Sequence, residues 1–130
     1  MNVVLANGCF DPLHPGHIEH LEMARSAGDR LIVSLTLDTH VNKGPNRPYL
    51  KWNERRAMLV ALRCVDGVIA SKSAWDAIRE VRPTIFVKGE DWDGRLPDET
   101  VRACADVGAS IMFTRTPRFG VDELVRRMKA

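Results

Sequence analysis

Apolar and polar positions along this chain switch repeatedly between short continuous runs and spaced patterns of helical period. Val3-Val4-Leu5-Ala6 is a β-rich apolar run, and helix signals follow from Gly16 to about Ala27, with Gly28 placed to end that helix. Arg30 to Leu37 reads as a buried central strand. The Asn-, Gly- and Pro-containing segment from Asp38 to Pro48 reads as a loop. Trp52 to Arg63 carries Trp52, Met58, Leu59 and Leu62 at helical spacing, and Val68-Ile69-Ala70 is a short strand. Ala74 to Val81 predicts a helix halted before Pro83, and Thr84 to Val87 a further strand. A polar loop from Lys88 to Pro97 leads to a helix from about Asp98 to Val107 that ends at Gly108. Ser110 to Thr114 is then a strand, and Val121 to Lys129 the last helix. Five short strands separated by helices predict an α/β fold, a five-stranded parallel sheet with helices on both faces. The whole of residues 1–130 is expected to form a single domain. In such sheets ligands sit beyond the carboxyl ends of the strands, where strand order reverses. The loops after the first, second, fourth and fifth strands are the ones rich in His, Lys, Arg, Asp and Gly, so fold and polar residues point at one crevice.

Composition narrows the picture only slightly. With 45% hydrophobic and 28% charged residues the chain is ordinary for a soluble globular protein. A formal charge of +2 argues for neither nucleic acid nor membrane as partner. Cys9, Cys64 and Cys104 are odd in number and widely spaced, which is no disulfide framework and no zinc pattern. Without a signal-peptide pattern or an apolar run approaching ~18 residues, a cytoplasmic location is expected.

The candidate chemistry lies in Gly8-Cys9-Phe10-Asp11-Pro12-Leu13-His14-Pro15-Gly16-His17, between the first strand and the first helix. Free N–H groups and the positive end of the helix dipole favour an anion there, and two imidazoles add donors. Gly8 and Gly16 let a nucleotide approach the backbone. Attack on the α-phosphate of a nucleoside triphosphate spreads negative charge over phosphate oxygens and leaving pyrophosphate. Its catalysis is mainly positioning and electrostatic stabilisation, which such a loop suits. Adding His20 does not make a metal site, because residues six apart on a helix lie about 240° apart around its axis. His20 reads as an ordinary helix residue, Trp92 as a hydrophobic plug under its loop, and Cys9 as a small filler.

G-C-F-D-x-L-H-x-G-H at residues 8–17, G-D-R-L-I-V-S at 28–34, Lys43 before Arg47-Pro48, Arg55, A-L-x-x-V-D at 61–66, V-K-G-x-D at 87–91 and Arg115-Thr116 occur in order. In these features the chain resembles the HxGH-motif, cytidylyltransferase-like nucleotidylyltransferases. It is most like the glycerol-3-phosphate cytidylyltransferases and the adenylyltransferase domain of ADP-heptose synthases. The resemblance implies a Rossmann-like fold and transfer of CMP or AMP from CTP or ATP to a phosphorylated sugar or polyol, with release of pyrophosphate. It implies Mg²⁺ arriving with the nucleotide, and a homodimer to which the 52–63 helix would contribute. By the same resemblance His14 and His17 would contact the triphosphate, and Lys43 would reach phosphates from the second loop. Arg55 and Arg115 would bind phosphate, and Gly89 with Lys88 and Asp91 would line the base pocket. Asp11 would hold the first loop or help the metal–phosphate assembly. Gly8, Cys9, Phe10, Gly16, Thr116 and Gly120 complete the expected nucleotide site. Gly120, Val121 and Asp122 stand where relatives carry a Ser/Thr-rich turn. That departure is the support for an alternative, a nucleotide-binding regulatory or scaffolding module with weakened turnover.

Overall fold

A computed structural model describes residues 1–116 and 121–129. The strands are β1 (Val3–Gly8), β2 (Arg30–Thr36), β3 (Gly67–Ser71), β4 (Ile85–Gly89) and β5 (Ser110–Thr114). They form one parallel sheet in the order β3-β2-β1-β4-β5. The helices are α1 (Pro15–Ser26), α2 (Trp52–Val60), α3 (Ala74–Val81), α4 (Asp98–Val107) and α5 (Val121–Lys129). The expected α/β architecture is present. Chain order runs outward from β1 to β2 and β3, then returns past β1 to β4 and β5. The strand order therefore reverses between β1 and β4.

Strand alternation divides the core in two. Val4, Ala6, Val33, Leu35 and Val87 pack with Leu21, Ala24 and Leu59 of α1 and α2. Leu5 and Phe86 pack on the opposite face with Ala77, Ile78, Ala103 and Cys104 of α3 and α4. Two anchors tie the strands' amino ends. Asp29 Oδ2 accepts the Asn2 N–H at 2.7 Å, and Asp66 Oδ2 accepts the Leu31 N–H at 2.7 Å while pairing with Arg25 at 3.2 Å.

Element boundaries shift in places. α2 stops at Val60, three residues before Arg63, and short 3₁₀ turns occupy Asp38–His40 and Glu90–Trp92 within segments expected to be loop. Gly28 follows α1, but the helix is capped by Ala27 in right-handed geometry. Gly28 is required for another reason. A Cβ there would meet Val4 Cγ2 at 2.7 Å and the Asn2 carbonyl at 2.8 Å, so the helix exit passes flush against the start of β1.

Candidate active site

All the carboxyl ends of the strands face one cleft of about 930 Å³. Its lining includes Gly8, Cys9, Phe10, His14, Gly16, His17, Lys43, Lys88, Gly89, Asp91 and Thr116, which brings most of the expected residues together. His14 is the N-cap of α1 and Pro15 its first residue, where a missing N–H costs nothing. The two histidines cap each other. The His17 N–H donates to His14 Nδ1 at 3.4 Å, and the His14 N–H donates to His17 Nδ1 at 3.3 Å. Their rings stack with centroids 3.6 Å apart and 20° between planes. Because each Nδ1 accepts, the neutral tautomer of each ring carries its proton on Nε2. An H-x-x-H spacing is thus a reciprocal cap that fixes both tautomers.

The neutral form is also favoured electrostatically. Burial, then the His14 ring, then Lys43 push His17 down to about 3. Burial and the Lys43 ammonium lower His14 as well. Phe10 braces the pair, its ring edge-on to His17 at 5.0 Å. It sits at φ +47°, a left-handed conformation costly for an aromatic residue, at the sharp turn out of β1. Gly8 lines the cleft and has a second reason to be glycine, since a Cβ there would lie 3.0 Å from the Phe10 ring. Gly8 makes room for Phe10, and Phe10 positions His17.

Asp11 holds the first loop to the second. Its buried carboxylate accepts from Arg47 Nε at 3.0 Å and from the N–H groups of Tyr49 at 2.7 Å and Leu50 at 2.8 Å, and Arg47 also donates to the Asp11 carbonyl at 2.7 Å. Burial alone would raise this carboxyl, but the hydrogen bonds and the guanidinium outweigh it and hold it below the usual range.

Arg55 departs from the phosphate-binding role the resemblance implied. It is only 1% exposed, and its Nε and both terminal nitrogens are engaged with the Leu50 carbonyl (3.0 Å), the Cys9 carbonyl (2.9 Å) and Asp38 Oδ1 (2.7 Å). Its cation clamps the two loops from below the cleft. Arg115 lies at the rim with its side chain 87% exposed, 3.5 Å from Glu90 and outside the cleft lining. Gly120 lies outside the described residues.

Lys88 Nζ donates to the Asn7 carbonyl at 3.0 Å and lies 4.9 Å from the centroid of the Trp92 ring. Burial pushes it down to about 8. Trp92 is therefore not a plug. It is 40% exposed and lines the cleft beside this ammonium, on a 3₁₀ turn. Asp91 folds back over Gly89, with Oδ1 2.7 Å from where a Cβ would sit.

His20, read from the sequence as an ordinary helix residue, faces the cleft. It lines the cleft one turn beyond His17, with Nδ1 2.6 Å from Thr114 Oγ1, and burial and the Lys88 charge lower it to about 4. The 3.6 period places residues three apart on one face, which was a usable signal. Among the described residues no three His, Cys, Asp or Glu groups are arranged to hold a metal. With the Asp11 oxygens already spent on the loops, the donor set fits a cation carried by phosphate oxygens.

A parallel sheet with this loop at its switch point and a histidine pair at the helix start accords with the nucleotidyltransferases. Residues 5–118 match the family described as cytidylyltransferase-like, and the chain belongs to that family. The bifunctional protein HldE of Pseudomonas fluorescens (strain Pf0-1) is 47% identical over 94 residues, 69% of this chain and 20% of that protein. That of Haemophilus ducreyi (strain 35000HP) is 43% identical over 112 residues, 83% of this chain and 23% of that protein. The chain spans about a fifth of the length of these curated relatives. The lipopolysaccharide core biosynthesis protein of Thermoplasma volcanium GSS1 superposes with a TM-score of 0.73 at 27% identity, covering 92% of this chain and 99% of that one. Pantoate-beta-alanine ligase from Francisella tularensis shares the fold at 16% identity, with a TM-score of 0.63 over 91% of this chain and 60% of its own.

Proposed function

We propose that this chain transfers CMP or AMP from CTP or ATP to a phosphorylated sugar or polyol of the heptose 1-phosphate or glycerol 3-phosphate type, releasing pyrophosphate. The observation that carries the reading is the stacked His14–His17 pair, each Nδ1 held by the other's backbone. Each ring's Nε2–H is then a donor fixed in tautomer before substrate arrives, so little reorganisation remains for the transition state. The acceptor's phosphate oxygen attacks the α-phosphorus and the bond to the pyrophosphate oxygen breaks, leaving its electron pair on pyrophosphate. That nucleophile is already ionised at neutral pH, so the cleft requires no general base. His14, His17, Lys43 and the start of α1 stabilise the charge that gathers on the phosphate oxygens. Mg²⁺ carried by the triphosphate supplies further charge neutralisation when bound. Gly89, Asp91 and Lys88 line the same cleft, which supports a base pocket there.

The HldE relatives are bifunctional and several times longer, and we assign this chain the nucleotidyl-transfer half of their work. The weakened-module alternative is not favoured, because the histidine pair and Lys43 meet at the cleft. No helix among the described residues is long and apolar enough to cross a membrane. The three widely spaced free cysteines support a cytoplasmic setting. Exposed Met58 and Val60 on α2 support a homodimer through that helix.

The test is pyrophosphate release from CTP or ATP with each acceptor. His17→Ala should lower kcat by on the order of 10² to 10³, as loss of one transition-state donor does. A fully active His17→Ala chain would overturn the assignment.

A further inference from the structure

The loop motif ends at His17, and His20 lies beyond it on the next turn of α1. Its ring reaches the carboxyl end of β5, where Nδ1 lies 2.6 Å from Thr114 Oγ1. Thr114 is 1% exposed, and among the described residues the imidazole is the one hydrogen-bond partner of its hydroxyl. A buried hydroxyl proton needs an acceptor, and Nδ1 is the one in reach. Thr114 therefore donates, and the neutral ring carries its own proton on Nε2. Among the described residues Nε2 has no hydrogen-bond partner, yet it is not closed off inside the fold. It opens on the cleft that His20 lines.

Position along the helix says what that N–H meets. The amino end of α1, with His14 and His17, suits phosphates, and His20 lies about 4.5 Å deeper along the helix axis. Lys88 and Asp91 face it there, the ammonium lowering its proton affinity and the carboxylate raising it. The strand register sets Thr114 beside Gly89, so the His20–Thr114 pair borders the proposed base pocket. Burial keeps the imidazole neutral, and it offers a directed N–H in place of a charge. Such a donor tells bases apart. Cytosine N3 and adenine N1 are acceptors beside an exocyclic amino group. The matching nitrogens of uracil and hypoxanthine carry hydrogen and would meet the imidazole donor to donor.

We propose that His20, set by Thr114, is a specificity-determining residue that reads the nucleobase, its Nε2–H donating to the ring nitrogen that is bare in amino bases and protonated in keto bases. The inference rests on the nucleotidyl-transfer reading and names what restricts the nucleotide to CTP or ATP. A site that hydrogen-bonds its ligand in this way rejects the wrong base, because both donors are then left unpaired.

The experiment compares wild type, His20→Leu and Thr114→Val with Mg²⁺ and two nucleotide pairs, CTP against UTP and ATP against ITP. It reads pyrophosphate release with heptose 1-phosphate and glycerol 3-phosphate as acceptors, and the nucleotide-induced Tm shift. Wild type should prefer the amino base of the pair it uses by on the order of 10- to 100-fold in kcat/KM, and the Tm shifts should rank the nucleotides alike. His20→Leu should cut that preference about tenfold, through weaker use of the amino nucleotide and no loss with the keto one. Thr114→Val leaves the ring in place and frees its tautomer, so it should gain activity with the keto nucleotide and narrow the preference about threefold or more. A His20 that served the fold alone would lower both members of a pair equally. An unchanged ratio in His20→Leu overturns the inference and leaves the transferase reading intact, as does a wild type that uses both members of a pair equally. Should His20→Leu not fold, an unchanged ratio in Thr114→Val overturns it instead. Absence of transfer by wild type from any of the four nucleotides overturns both readings.

Discussion

Replacing Arg55 by Met separates a phosphate ligand from a structural clamp. The variant keeps most of the apolar stem and removes the guanidinium. The carbonyls of Cys9 and Leu50 lose charged donors at 2.9 and 3.0 Å from a side chain that is itself buried. Leaving each unmatched costs about 1–3 kcal/mol. Asp38 loses its ion pair, but its side chain is 43% exposed and water compensates most of that. The sum is roughly 3–5 kcal/mol, which for a chain of this size lowers Tm by roughly 10–20 °C. Scanning calorimetry without ligand, followed by thermal shifts with CTP and ATP, reads both properties. Should Arg55 serve chiefly as a phosphate ligand, the unliganded Tm would change by no more than about 2 °C while the nucleotide-induced shift disappeared. That result would refute the clamp. Arg55→Lys should rescue little, because one ammonium cannot span three acceptors that the planar fork reaches.

The remaining predictions follow from the same geometry. His17 and His20 have native values of about 3 and about 4 against 6.5 for the free side chain. Their contribution to stability is present above pH 6.5 and is lost as pH falls toward those native values, because the unfolded state binds the protons first. Between pH 7 and pH 5 each should contribute a loss of about 2 kcal/mol, and urea titrations at the two pH values should converge when both residues are replaced by Asn or Gln. Gly28→Ala should destabilise by about 1–3 kcal/mol, since its Cβ would press on Val4 and the Asn2 carbonyl; an unchanged urea midpoint would contradict the close approach. Asp11→Asn exchanges an acceptor of three N–H groups for an amide that must turn a donor toward one of them. A loss of about 2–4 kcal/mol and faster proteolysis within residues 38–50 are expected.

Much of this arrangement was legible in the sequence where local chemistry and fold agree. The alternation of apolar runs with helical spacing gave all five strands and five helices, most plainly for β1, β2 and β4, which helices bury and which read as continuous apolar segments. The H-x-G-H loop announced itself because its residues are both unusual for a strand–helix turn and suited to anions. What sequence did not disclose depends on approach between distant segments. Arg55 reads as a phosphate ligand by resemblance, and nothing local says that two loops will close over it. Gly8 reads as permission for a ligand, and the room it makes for Phe10 shows only in the fold. Trp92 reads as an anchor for a polar loop, yet the 3₁₀ turn at Glu90–Trp92 turns it to the cleft beside Lys88.

These corrections bear on how the site works. On the proposed function the cleft must neutralise a triphosphate, yet it holds three groups, His17, His20 and Lys88, whose charged forms are disfavoured by burial. The reciprocal cap of His14 and His17 resolves the conflict by supplying neutral donors of fixed direction. The permanently charged Arg55 and Arg47 are spent on holding the loops. The cations that tighten the fold and the donors proposed to face phosphates are therefore different residues. Acid should consequently weaken the empty protein through its histidines, whereas a bound triphosphate, by favouring their charged forms, should offset part of that loss. The nucleotide-induced rise in Tm should be larger at pH 5.5 than at pH 7.5, and a rise that is equal or smaller at the lower pH would show that the anion does not approach these rings.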